Sequence, residues 1–168
     1  MIDPEIFLRF LKSRRSIRSF QDKPVKENEL NMILEAGRWS PSASNRQPWE
    51  FIIIRNKETL EKLSKMSFYG KFMKGVPLVI AIVGKTKTSP KWYIIDTSLV
   101  TMNMMLMAWA LGIGTCWIGA MNREKAKEII GLGENDYLLT VLPFGYIEGK
   151  IPDPTSRKSL KNIIRWIE

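Results

Sequence analysis

From Thr97 to Asn122 the chain carries no charged residue. A run of that length has to be buried by something, and about 20 apolar residues suffice to cross a bilayer. The make-up of the run argues against lipid. Thr97, Ser98, Thr101, Asn103 and Thr115 interrupt it with hydrogen-bonding side chains, and Gly112 and Gly114 break its continuity. A single helix over Ile94 to Leu111, buried by protein and followed by a turn, accommodates these residues better than a membrane span.

The rest of the chain supplies material to bury it. At 168 residues the length corresponds to one domain, 1–168. Asp3-Pro4 reads as an N-cap and first helical residue, with Ile6, Phe7, Phe10 and Leu11 on one face of the helix that follows. A second helix is expected over about Lys26 to Trp39, with Leu30, Ile33 and Leu34 inward, and a third over about Lys57 to Met66. Trp49 to Arg55, Pro77 to Gly84 and Tyr137 to Tyr146 are short apolar runs that read as buried strands. Pro143 lacks an N–H and requires an edge or a bulge in the last of them. Asn122 caps a further helix that runs to Ile130 and stops at Gly131. Pro152 and Pro154 open a tail that finishes with Ser159 to Ile167. Helices alternate with strands, so the class is α/β or α+β.

Two features of composition narrow the chemistry. The chain has no histidine and one cysteine, Cys116. An intramolecular disulfide, a Cys/His zinc site and every histidine-dependent nucleophile are excluded. Catalysis is left to carboxylates, Lys, Tyr, a perturbed Cys, or a cofactor. The net charge is +9, which suits either an anionic partner or a basic, solvated surface. One free thiol, and an N-terminal stretch without the basic-then-apolar pattern of an export signal, point to the cytoplasm.

Three segments are candidates for a site. Arg14, Arg15 and Arg18 bracket Ser16 where the first helix should end. Three guanidinium groups so close repel one another unless an anion joins them, and a phosphate would accept bidentate pairs from them with Ser16 as a further donor. They could equally line a solvated turn. Pro41 to Pro48 packs Ser42, Ser44, Asn45, Arg46 and Gln47 between prolines, which suits a polar ligand or an ordinary surface loop. Gly112 to Gly119 only superficially resembles a dinucleotide fingerprint. It follows a helix, and Trp117 stands where a third glycine is required, so a helix C-cap and tight connection is the better reading.

Taken together, these segments resemble the FMN-dependent nitroreductase family. The resemblance rests on Arg14-Arg15-Ser16-Ile17-Arg18 with Phe20 and Pro24-Val25, on Ala36 to Trp49, on Gly112 to Gly119, and on Leu142-Pro143-Phe144-Gly145-Tyr146. It implies an α+β fold: a central, mostly antiparallel sheet wrapped by helices, in an intertwined homodimer with FMN at the interface. The long helix would sit at the centre of that dimer, which accounts for its lack of charge.

The resemblance also implies residue roles. Arg14 and Ser16 would hold the FMN phosphate and ribityl region, with Arg15 adjacent, and Arg157 would match a C-terminal phosphate-binding arginine. Arg18 would approach the N1/C2=O edge of the flavin. Pro41, Ser42, Ser44 and Asn45 would reach the flavin held mainly by the other subunit, and Ile118 and Gly119 would face N5 with a backbone N–H. Many relatives carry a lysine where this chain has Thr155. The implied activity is NAD(P)H-dependent reduction of a nitroaromatic, quinone or similar small acceptor, in ping-pong order, by hydride transfer through N5. Such chemistry needs no histidine and no catalytic side chain, because the flavin carries it. A basic nucleic-acid-binding domain is the alternative from another class, although the arginines do not line one recognition helix. A flavoprotein of the same fold with another redox specialty is a third reading.

Overall fold

The computed structural model describes residues 2–68 and 70–168; Met1 and Tyr69 lie outside the described residues. In chain order the elements are α1 (Pro4–Ser13), α2 (Glu27–Arg38), β1 (Trp49–Ile54), α3 (Lys57–Ser64), β2 (Leu78–Lys85), α4 (Tyr93–Ala110), β3 (Ile113–Thr115), α5 (Arg123–Ile129) and β4 (Asp136–Tyr146). Short 3-10 turns occupy Ala43–Asn45, Gly70–Gly75 and Leu160–Asn162. The strands form one antiparallel sheet in the order β1-β2-β4-β3. With every named pairing antiparallel, the class is α+β.

β2 shows why the sheet carries helices on both faces. Its side chains alternate between two cores: Val79, Ala81 and Val83 enter one, and Leu78, Ile80 and Ile82 enter the other. All six are 1% exposed or less, so neither face can meet water. The first core is closed by Leu60 and Leu63 of α3, Met73, and Ala126 of α5. The second is closed by Leu30 and Ile33 of α2 and by Val100, Met104, Met105 and Ala108 of α4.

Local signals set the element ends. Asp3 accepts a hydrogen bond from Ile6 N, Asn56 from Thr59 N and Asn122 from Lys125 N, each capping the helix it precedes. Gly112 takes φ +73° just past α4, where a side chain would be strained. The chain then enters β3, a three-residue strand absent from the sequence reading. It follows Gly112 directly after a helix and has Gly114 as its middle residue, too short for any periodicity to register.

Two expectations need correction. β1 is an edge strand rather than a buried one: Glu50 and Ile53 are exposed, and only Ile54 is buried. The last strand, β4, lies inside the sheet. Pro143 is tolerated there because it faces Val79 on one side and lies one residue beyond the β3 pairing, which ends at Thr115 opposite Phe144. A bulge also falls in β4, further back, where pairing with β2 slips between Ile82 and Val83.

The long helix α4 is charged only at Asp96, which is 2% exposed in its first turn. Ile95, Leu99 and Met102 form an uncovered stripe on its outer side. α1 buries none of its residues, so the face of Ile6, Phe7 and Leu11 lies open in the single chain. Residues 151–168 are likewise exposed throughout. None of the helices among the described residues is long and apolar enough to cross a membrane.

The segment after α1 runs beside β3. Ser16 bridges Thr115, and Ile17 N donates to Thr115 O at 2.9 Å. Gly114 permits this approach: a Cβ there would lie 2.7 Å from Ile17 Cβ and Cγ2. Gly114→Ala is expected to destabilise the chain by about 1–3 kcal/mol through overpacking, at roughly 2–4 °C in Tm for each kcal/mol. Gly75→Ala, where a Cβ meets nothing within 4 Å, should leave Tm unchanged. Thermal unfolding of both variants followed by circular dichroism tests this; equal Tm values would refute the packing argument.

Candidate functional site

The end of α1, the segment beside β3 and the start of the tail enclose a cavity of about 880 Å³. Arg14, Arg15, Ser16, Arg18 and Arg157 all line it, so five of the expected residues come together from positions nearly the whole chain apart. Arg9 and Lys12 line it as well and were not anticipated, and so does Thr155, the position where many relatives carry a lysine. Arg9 and Lys12 precede the arginine cluster at three-residue spacing on α1, a signal that could have extended it. Asp153 is the one carboxylate among the lining residues, and it is paired with Lys150 at 3.4 Å.

The arginines are not equivalent. Arg15 donates from Nη1 to the carbonyls of Lys12 (2.8 Å), Ser13 (3.0 Å) and Arg14 (2.9 Å), and from Nε to Pro152 O (3.1 Å). It thereby caps the carbonyl end of α1 with a cation and ties the tail to it. Arg157 is held by its own neighbours, donating from Nη1 to Thr155 Oγ1 at 2.6 Å and to the Thr155 and Ser156 carbonyls. Arg14 is different. Its Nη1 is buried and has no hydrogen-bond partner. Burial, then the nearby Arg157, pushes its pKa below the usual arginine value. An arginine stays protonated regardless, so the folded chain bears the cost of that desolvated charge at every working pH. An anion in the cavity would relieve both the desolvation and the repulsion.

The other expected residues lie elsewhere on the chain. Pro41, Ser42, Ser44 and Asn45 form a loop along the start of α4, outside the cavity. Ser44 and Asn45 adopt φ 53°, and Gln47 φ 48°, a left-handed backbone that costs about 1–2 kcal/mol per non-glycine residue. The loop is held in that shape. Ala43 N donates to the buried Asp96 carboxylate at 3.0 Å, Gln47 N to Ser42 Oγ at 2.9 Å, and Gln47 Nε2 to Asn45 Oδ1 at 3.2 Å. Asp96 also accepts from Ser89 Oγ at 3.3 Å, and Asn103 Nδ2 donates to Ser40 Oγ at 2.8 Å. Backbone strain kept in place by such a buried carboxylate accompanies binding loops more often than passive ones.

Ile118 and Gly119 sit past β3, two and three residues beyond Cys116. Cys116 is buried beside Ser16 and Arg18, and burial pushes its thiol pKa up despite the arginines. It is therefore a protonated packing residue at neutral pH.

Arg14 carries an expected outcome of its own. With bound small molecules removed, inorganic phosphate should raise Tm in low-salt buffer. Arg14→Met should raise Tm without phosphate and abolish the phosphate response, because it removes a half-buried cation whose Nη1 lacks a partner. A variant less stable than the wild type, with the phosphate response intact, would contradict this account.

Comparison with known proteins places the chain. A sequence model of the family described as "Nitroreductase family" matches residues 11–70 and 65–146. A protein of Archaeoglobus fulgidus, provisionally named NADH dehydrogenase/NAD(P)H nitroreductase, is 34% identical over 146 residues, covering 83% of this chain and 84% of that protein. Among solved structures, a nitroreductase family protein of Clostridium difficile 630 is 32% identical and superposes with a TM-score of 0.85, covering 95% of this chain and 97% of that one. An FMN-dependent nitroreductase from Clostridium difficile R20291 is 28% identical, with a TM-score of 0.86 over 95% of this chain and 98% of that one. With the family model spanning most of its length and the fold matched by solved members, this chain belongs to the nitroreductase family.

Proposed function

We propose that the protein is an FMN-dependent oxidoreductase that takes electrons from NAD(P)H and delivers them to a small, electron-poor acceptor such as a nitroaromatic or a quinone. The observation that carries this is Arg14: a half-buried cation whose Nη1 is buried without a partner, in a cavity shared with Ser16, Arg18 and Arg157, in a chain of this family. The printed names of two relatives, one FMN-dependent and one an NAD(P)H nitroreductase, support the choice of cofactor and donor.

The residues present fit FMN. A phosphate suits the Arg14 and Arg157 guanidinium groups and the Ser16 hydroxyl. Arg18, exposed at the rim and charged, suits the N1/C2=O edge, where negative charge gathers on reduction. Ile118 and Gly119 suit N5, because Gly119 presents bare backbone. When bound, FMN supplies the two-electron chemistry between donor and acceptor. The chain's own part is to neutralise charge and fix orientation, which explains how it manages without histidine. Donor and acceptor use one site in turn, the ping-pong order that the resemblance implies. The cations converge on a concavity rather than on an extended face, which favours a small anionic ligand over nucleic acid.

A homodimer is part of the proposal. The stripe of Ile95, Leu99 and Met102, the open face of α1 and the apolar tail residues Leu160, Ile163, Trp166 and Ile167 all leave large apolar side chains uncovered in the single chain, the kind of surface that marks an interaction site. A second copy, embraced by the tail, covers it. The 41–45 loop lies apart from its own chain's cavity, which is the arrangement expected if it serves the partner's site.

The first test is absorbance: the purified protein should be yellow, or become so on reconstitution with FMN. A colourless protein that cannot be reconstituted overturns the reading. Arg18→Glu should retain FMN but shift its midpoint potential negative by on the order of 30 mV or more, the two-electron equivalent of about 1.4 kcal/mol. An unchanged potential would remove Arg18 from the N1 edge. For the shared site, Arg18→Glu and Ser44→Trp chains, each first checked to have lost turnover as a homodimer, are refolded together and the mixed dimer is isolated. One site then carries both lesions and the other neither, so about half of the wild-type activity per dimer should return. No recovery would mean that each chain builds its site alone.

A further inference from the structure

Beyond β3 the chain doubles back past β4, and two successive carbonyls on it are clamped. The Thr140 hydroxyl donates to Ile118 O at 3.0 Å, and Arg123 Nη2 donates to Gly119 O at 3.1 Å. Thr140 is fully buried and Ile118 is 4% exposed, so water does not compete for the first of these bonds. The β4 bulge falls at Thr140. Thr140 pairs with Ile82 and Leu138 with Val83, leaving Leu139 over. In an unbroken strand residues 138, 140 and 142 would share a face; here Leu138 and Leu142 lie in opposite cores, so the alternation slips at Thr140.

A trans peptide is planar, with its C=O and N–H pointing opposite ways. Holding Ile118 O on Thr140 therefore directs the Gly119 N–H away from β4. Among the described residues that N–H donates to nothing, and Gly119 is exposed. Nothing inside the chain requires glycine at this position. Its φ lies outside the left-handed region, and an added Cβ would meet only Trp117 Cδ1, at 3.9 Å. What glycine provides is bare backbone for close approach by a flat ligand.

We infer that Thr140 is a positioning residue: its buried hydroxyl locks the Ile118–Gly119 peptide so that the Gly119 N–H is preset as a hydrogen-bond donor to the flavin N5. This rests on the FMN reading given above. Thr140 touches neither flavin nor substrate, and it acts only through the orientation of one peptide group. Without the hydroxyl, the peptide could rotate, since glycine resists rotation least.

The test compares FMN with 5-deaza-FMN, in which a C–H replaces N5 and the acceptor is lost. Flavin is removed from the purified protein, and each flavin is titrated back by fluorescence quenching. The wild type should bind FMN about fivefold or more tightly than 5-deaza-FMN, the ratio for one net hydrogen bond. Thr140→Val, nearly isosteric, should reduce that ratio to about twofold or less, and Thr140→Ser should restore it. If Thr140→Val does not fold, Thr140→Cys, with its weaker donor, should give an intermediate ratio. Variants that weaken both flavins equally and keep the wild-type ratio would overturn the proposal and leave the FMN reading standing. A wild type that binds both flavins equally would overturn it together with the N5 assignment, flavin binding surviving. A wild type that binds neither would overturn the FMN reading itself.

Discussion

Burial of β2 on both faces is the constraint on which the rest of the structure depends. Six consecutive side chains, Leu78 to Val83, are divided three and three between two cores. Neither core closes without helices, so α2 and α4 are fixed on one face and α3 and α5 on the other. Polar chemistry is then excluded from the middle of the sheet and pushed to where strands end and helices begin. The cation cavity at the end of α1, the strained loop at the start of α4 and the Ile118–Gly119 turn after β3 all occupy such places. The Thr140 hydroxyl, which holds Ile118 O from within the sheet, sits at a bulge, where the alternation fails.

Electrostatics in the cavity run against stability. Arg14 is desolvated and repelled by Arg157, while Arg15 is satisfied by four carbonyls. The same residue type, one position apart, thus does opposite things: Arg15 secures the helix end, and Arg14 leaves the cavity short of an anion. Asp96 shows the complementary case. A carboxylate buried in the first turn of α4 is favoured by the helix N-terminus and by hydrogen bonds from Ala43 N and Ser89. It spends that stabilisation on a loop with three left-handed residues.

The parts of this arrangement that were legible in the sequence had strong local signals. The caps at Asp3 and Asn122, the glycine after α4, the charge-free run beyond Asp96 and the repulsive arginine cluster each followed from residue type and spacing. Arg157 could be associated with that cluster only through family resemblance, because nothing local in a Pro-rich tail indicates which surface it returns to. Other features had no local signal at all. β3 is three residues long. The left-handed backbone at Ser44, Asn45 and Gln47 uses no glycine. Thr140 in an apolar strand reads as an ordinary β-former, and its partner, Ile118 O, lies 22 residues away in sequence. β1 looked buried from its isoleucines, but whether a strand lies at an edge is decided by the order of the whole sheet.

The sheet and both cores draw nothing from beyond Tyr146 except Ile147, which packs against one of them. Body and arm are therefore separable by cleavage. The exposed segment 151–168 is open to a protease, and cutting it would leave the sheet and both cores intact. Arg157 lies on that segment and lines the anion cavity, so the clipped chain would stay folded yet lose one of the cations around its ligand.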